Sequence, residues 1–238
     1  MARVVKEKEY TVRRNAILDV AQRLIYTKNY EQMSLQDIAV ELQISKGALF
    51  HYFPSKAALL EALIDRMLEE GMQQIAPIAH DSKLPALEKL QHLFVMLVRW
   101  KTDQKSFFLA MLRAWYDDGN AIVRQKVRTK RLRQMSLILT DIIQQGIEQG
   151  DFLIPYSDQV GEVALCLVEG LVDSVSMLLL TLEPNRDCLQ RMESAVSTYT
   201  AALERTLGIA AGSIEIISVQ TLKEWLDAVA LNVQSHSW

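Results

Sequence analysis

The chain has 238 residues, half of them hydrophobic and 23% charged, with nine Gly and five Pro, a composition that fits a folded, helix-rich protein and excludes a disordered one. Its net charge of −3 divides unevenly. The first 56 residues hold nine Lys and Arg against six Asp and Glu, for +3, and the remainder is −6. A polyanionic partner is therefore expected at the N-terminal part, although a chance fluctuation in a short segment gives the same imbalance.

The N-terminal ten residues carry charges of both signs and no apolar stretch of signal-peptide length, so secretion has no support. The richest apolar stretch, Leu165 to Leu182, is interrupted by Glu169 and Asp173 and is expected as a buried core or interface helix, not a membrane span. Cys166 and Cys188 lack metal-ligand spacing and read as free buried thiols in a reducing cytoplasm, with a disulfide as the disfavoured alternative.

Helical periodicity begins near Val12. Ile17, Val20, Ala21, Leu24 and Ile25 fall on one face of a first helix that Lys28-Asn29-Tyr30 ends. Ser34 can cap a second helix, with Asp37 placed to reach back or to favour the helix dipole, and Leu35, Ile38, Ala39 and Leu42 as its apolar face. Ser45 caps a third helix of about two turns, because the residue before Pro54 is biased away from helical angles. Ser55 caps a fourth, amphipathic helix reaching about Ala76. Further helices are expected at roughly 84–101, 104–117, 119–149, 157–182, 186–207 and 218–233, separated by turn signals such as Pro155, Pro184-Asn185 and Gly208 to Gly212. No strand alternation is visible. The stretch Thr206 to Ser213 reads as a linker to a final amphipathic helix carrying Leu222, Trp225, Leu226 and Val229. The chain thus reads as all-α, with a three-helix head over 1–56, a helical core over 57–212 and an extra C-terminal helix over 213–238.

Two short helices joined by a tight turn, with the second exposed, are the arrangement that lets one helix enter the DNA major groove. Ile44 and Leu49 can anchor the second of these to the core, which leaves Ser45, Lys46, Gly47, Ala48, His51 and Tyr52 pointing outward. Gly47 costs helix stability, so its presence suggests close backbone approach to DNA; the alternative is that it relieves crowding in the turn. Ser34 and Lys56 both sit at helix N-termini, where free N–H groups favour a phosphate.

The segments Ile17-Leu18-Asp19-Val20-Ala21, Ser34-Leu35-Gln36-Asp37-Ile38-Ala39, Ile44 through Phe53 and Ser55-Lys56 resemble the N-terminal signature of the tetracycline-repressor (TetR) family over about residues 11 to 60. The chain departs from that pattern in Asn29 and Gln43, where glycine is common, and in Phe50, where tyrosine is frequent. Asn tolerates left-handed angles, which makes its replacement of glycine mild. The resemblance implies a homodimeric transcriptional regulator, a repressor released from a palindromic double-stranded operator by a small molecule. Lys46, Gly47, Ala48 and His51 would lie at base edges or nearby sugar-phosphates, and Ser34, Ser45, Tyr52 and Lys56 at phosphates. Phe53 reads as core. Arg3, Lys6, Lys8, Arg13 and Arg14 form a flexible tail that either adds nonspecific contacts or is simply solvated.

For dimerisation, the helices around Leu165 to Leu182 and Arg191 to Leu207 are the candidates. Gly170 and Ser174 would allow close helix approach, and Leu167, Leu171, Leu178, Met192 and Tyr199 would supply apolar contacts; burial within one subunit explains each of these equally well. A pocket for an apolar or amphipathic ligand is sought among Met96, Trp100, Phe107, Phe108, Met111, Trp115, Tyr116 and Met135, with ordinary core packing as the alternative. The basic run Arg124, Lys126, Arg128, Lys130, Arg131 and Arg133 reads as a solvated face from which one inward arginine could pair an acidic ligand. Enzyme motifs are missing: no phosphate-binding glycine loop, nucleophile elbow, zinc pair or paired cysteines occurs, and His51, His80, His92 and His236 are scattered. No metal, cofactor or membrane partner is expected, and the location implied is cytoplasmic.

Overall fold

The computed structural model describes the backbone of residues 2–154, 159–181 and 183–235, and side chains within these except those of residues 2–6 and 232–235. The side chains of Arg3 and Lys6, the turn residue Pro155, Leu182 and His236 lie outside the described residues. Every regular element among the described residues is helical: α1 (Ala2–Gln32), α2 (Leu35–Glu41), α3 (Lys46–Tyr52), α4 (Lys56–Ala79), α5 (Ala86–Asp103), α6 (Lys105–Tyr116), α7 (Ala121–Gln149), α8 (Val160–Thr181), α9 (Arg186–Leu207) and α10 (Val219–Ser235), with a single 3-10 turn at Asp118–Asn120.

Chain contacts divide the molecule into two compact units, one formed by residues 1–69 and 106–127 and the other by 70–105 and 128–238. These differ from boundaries at 56 and 212, for a packing reason. In the first unit the apolar faces of α1, α2 and α3 close over Leu59, Leu60, Leu63 and Ile64 from the first half of α4, and over Phe107, Met111, Ala114, Val123 and Val127. A three-helix head this small buries too little apolar surface by itself; the added helices complete its core.

Two non-glycine residues of this unit have positive φ. Gln43, in the turn between α2 and α3, lies at φ 53°. Asn29 lies at φ 61°, ψ 169° and breaks α1 three residues before its end. That ψ places Asn29 outside the left-handed helical well that asparagine tolerates and in a region essentially reserved for glycine, so the substitution is costlier than a left-handed asparagine would be. Helix α1 also starts ten residues before the expected Val12 and is helical where a flexible tail is expected.

In the second unit α8 and α9 pair closely. Gly170 makes this possible, since a Cβ there would lie 2.8 Å from the Tyr199 ring, and Ser174 Oγ donates to the Tyr199 hydroxyl at 3.3 Å. The small residues thus serve the pairing of two helices within one chain. Leu171 and Met192 are fully buried in the same unit and are core side chains, not surface ones. The expected linker after α9 is a docked segment: Gly208 caps α9 at φ 65°, Ile214 and Ile216 are buried, and Glu215 N donates to Gln91 Oε1 at 2.8 Å. Helix α10 is held by Leu222 and Leu226 and by Trp225 Nε1 donating to Thr102 Oγ1 at 2.9 Å. Of the two free cysteines, Cys188 is buried as expected and Cys166 is exposed. Helix α8 is long and apolar enough to cross a membrane by length and composition, and 33% of its most apolar stretch is buried.

Candidate nucleic-acid interface

The reading surface is built by caps. Ser34 Oγ accepts from Asp37 N at 3.1 Å, and Asp37 Oδ2 accepts from Ser34 N at 2.8 Å and from Ser34 Oγ at 2.7 Å. This reciprocal box fixes the start of α2, and Lys28 Nζ adds an ion pair to Asp37 at 3.1 Å. The hydrogen bonds from Ser34, followed by the bond and charge of Lys28, hold the Asp37 carboxyl at a pKa of about 2. The Ser34 hydroxyl proton is donated to the Asp37 carboxylate.

Ser45 Oγ accepts from Ala48 N at 3.1 Å and starts α3. Leu49 and Phe53 are buried, with Ile44 half-buried, so they orient the helix. Ser45, Lys46, Gly47, Ala48 and His51 are all exposed, and Phe50 is 39% exposed. A Cβ on Gly47 would meet nothing nearer than Ser45 Oγ at 4.0 Å. Crowding in the turn therefore does not explain this glycine. Lys46 Nζ reaches over the Phe50 ring, 5.6 Å from its centroid, on the same exposed side.

Lys56 begins α4 under the cap Ser55, whose Oγ accepts from Ala58 N at 3.0 Å. Its ammonium donates to the Glu31 carbonyl at 3.0 Å and lies 4.4 Å from the centre of the Tyr30 ring. Burial lowers its pKa, opposed by the charges of Glu31 and Asp37. Burial, followed by the charge of Asp117, raises the Tyr30 hydroxyl to about 12, and that hydroxyl donates to the Lys56 carbonyl at 3.3 Å. Lys56 is thus a clamp within the head as well as a charge near its surface.

Tyr10 belongs to this site, and the sequence reading passed it over. The extension of α1 sets its ring 4.8 Å from Tyr52 and edge-on to His51 at 6.0 Å, while His51 and Tyr52 stand 5.4 Å apart. Its signal was the seven-residue spacing Tyr10, Ile17, Leu24, which continues the buried face of α1 by two turns. Arg14, assigned to the tail, lies 5.3 Å from the centre of the Phe53 ring.

The pocket candidates are divided between the two units. Phe107 and Met111 are buried in the core of the first, with Trp115 packed against it, Tyr26 5.3 Å from Phe107 and Arg124 5.8 Å from the Tyr116 ring centre. Most of α6 packs there, which explains their placement. Met96, Trp100 and Met135 fall in the second unit, where a Cβ on Gly71 would touch the Trp100 ring at 3.3 Å. On α8, the interface candidate Leu167 lines an open groove of about 490 Å³ with Gln159, Glu162, Val163 and Cys166.

A short capped helix standing exposed on a buried helical core defines the class, a helix-turn-helix DNA-binding protein. Residues 17–63, which span most of the head, match the family described as "Bacterial regulatory proteins, tetR family". The chain is 31% identical over 135 residues to the uncharacterized HTH-type transcriptional regulator YuxN of Bacillus subtilis, covering 56% of this chain and 43% of YuxN. To the HTH-type transcriptional repressor KstR2 of Mycobacterium tuberculosis it is 27% identical, covering 59% of this chain and 69% of KstR2. The chain spans less than half the length of the first curated relatives it matches. Among solved structures, the SmeT–triclosan complex shares the fold at a TM-score of 0.59 and 16% identity, covering 87% of this chain and 96% of that one.

Proposed function

We propose that this protein is a dimeric, ligand-controlled repressor that binds a palindromic operator through α3. The observation that carries the reading is Gly47: an exposed helical glycine with open space around it, flanked by Ser45, Lys46, Ala48 and His51, costs stability and is explained by close approach of a DNA backbone. Lys46, Gly47, Ala48 and His51 take the base edges or adjoining sugar-phosphates, and Ser45, Tyr52 and Lys56 the phosphates. Ser34 serves as a cap, its role at phosphate limited to the backbone beside it. The clustered rings of Tyr10, His51 and Tyr52 give this surface an aromatic end.

One such helix makes few base contacts, so useful affinity calls for two heads about 34–36 Å apart. Helix α8 offers the pairing surface. Val163, Leu167, Met177 and Thr181 fall on one side of the helix, and Val163 and Met177 are 46% and 43% exposed. Leu178, half-buried, flanks it.

The release step is a shift between two dimer states, biased by a small molecule held in the second unit. Two things support this: α4 contributes to both units, and SmeT, of like fold, was solved with triclosan. A DNA-binding protein of this kind works in the cytoplasm. The test is fluorescence anisotropy with DNA from upstream of the protein's own gene across a salt series. Specific, salt-dependent binding by a dimer is expected, and the absence of any binding at low salt overturns the reading.

A further inference from the structure

Helices α5, α7 and α8 of the second unit place five charged side chains together, of which Glu169 is buried and the other four are partly exposed. Glu169 on α8 is 4% exposed. Its Oε1 accepts from Arg131 Nε at 2.7 Å, and its Oε2 lies 3.1 Å from Arg128 Nε without hydrogen-bond geometry. Arg128 also faces Asp173 at 3.7 Å. Beside this group stands Lys101 on α5, whose pKa desolvation and then the charge of Arg131 lower to about 8, against the opposing charge of Glu169.

Three cations thus meet two carboxylates. Both oxygens of Glu169 are committed to arginines, and Asp173 faces Arg128. Among the described residues no acceptor lies within bonding or ion-pair distance of the Lys101 ammonium, and the described bonds of Arg131 use its Nε, not its two terminal nitrogens. Lys101 is half-buried, and a desolvated cation without a partner carries a cost. Such groups persist where something binds them, and perturbed ionisable clusters concentrate at functional sites. Within the cluster, Glu169 Oε2 is buried without a hydrogen bond and already faces a cation, so what the cluster lacks is negative charge.

We infer that the second unit binds an organic anion, its oxyanion head held by Lys101 and Arg131 and its apolar body lying along the side of α5 and α7 that carries Trp100, Met96 and Met135. A carboxylate suits the guanidinium fork of Arg131 as a planar pair, and a phosphate monoester offers the same oxyanion chemistry. Ligand binding then adds charge compensation to a network that joins α5, α7 and α8, which gives the ligand a differential hold on one state of the protein.

This inference rests on the second unit being the ligand-binding part of a regulator. Its test measures Tm and Kd of the full-length dimer with decanoate, decyl phosphate, decan-1-ol and decyltrimethylammonium. Decanoate or decyl phosphate is expected to raise Tm and to bind at least about tenfold more tightly than the alcohol; which of the two binds better separates a carboxylate head from a phosphate one. Lys101→Met is expected to weaken the anion by about tenfold and leave the alcohol unchanged, and Lys101→Arg to keep the anion preference. Equal binding of anion and alcohol, no binding of either anion, or an unaffected Lys101→Met variant overturns the inference. DNA binding of the ligand-free protein, measured on the same preparation, separates the outcomes: its absence counts against the regulator, and its presence without anion preference counts against this inference alone.

Discussion

Replacing Gly47 by alanine should make the free protein more stable and the DNA complex weaker. The new Cβ would enter open space, with its nearest neighbour the Ser45 hydroxyl oxygen at 4.0 Å, on a backbone already helical in α3. Alanine is favoured over glycine in a helix interior by about 1 kcal/mol, and a position in the first turn of a seven-residue helix should give about half of that. On DNA the same methyl group stands between α3 and the groove. Displacing the helix from its contacts costs about 1–3 kcal/mol, the scale of one good base contact, or roughly tenfold to a hundredfold in Kd. Urea melts and fluorescence anisotropy on the same preparation read the two signs. Should the variant bind as tightly as the parent, the close-approach argument for Gly47 fails; should it be less stable, the glycine is needed by the fold and the functional reading loses its main support.

Other perturbations follow from the same geometry. Lys56→Ala should lower the slope of log K against log salt by about one unit for every DNA sequence alike, with some loss of stability from the broken clamp on Glu31 and Tyr30; an unchanged slope assigns Lys56 to the clamp alone. Asn29→Gly should stabilise by about 1 kcal/mol, since relief of strain exceeds the entropy cost of glycine and the lost bond from Gln32 N to Asn29 Oδ1. In a chain of this length that is a rise in Tm of about 2–4 °C, checked by calorimetry. Lys101→Met should stabilise the ligand-free protein near neutral pH, at most by about 3 kcal/mol. The sign follows from a folded pKa of about 8 below the ordinary 10.5: the penalty is complete below pH 8, the unfolded chain holds the extra proton between those values, and stability of the parent rises with pH across that window. Urea melts at pH 7 and pH 10 should therefore show the gap between variant and parent narrowing; a constant gap refutes the desolvation argument.

Local chemistry in the sequence determined the head. Ser34, Ser45 and Ser55 cap their helices because capping depends on a residue and the three that follow it, and the apolar spacing that placed Leu49 and Phe53 in the core is equally local. Helix boundaries further along were readable for the same reason. Which helix packs on which was not. Phe107, Met111 and Trp115 carry the same periodic signal whether they line a pocket or fill the core of the head, and only packing assigned them to the head. Gly170 and Ser174 promised a close helix approach, and only the fold showed that the approaching helix is α9 of the same chain. Tyr10 could not be joined to His51 and Tyr52 until α1 was seen to run straight through the expected tail. The charges at Lys101, Arg131 and Glu169 are separated by 30 and 38 residues, too far for any spacing rule, and their meeting is a property of tertiary structure alone.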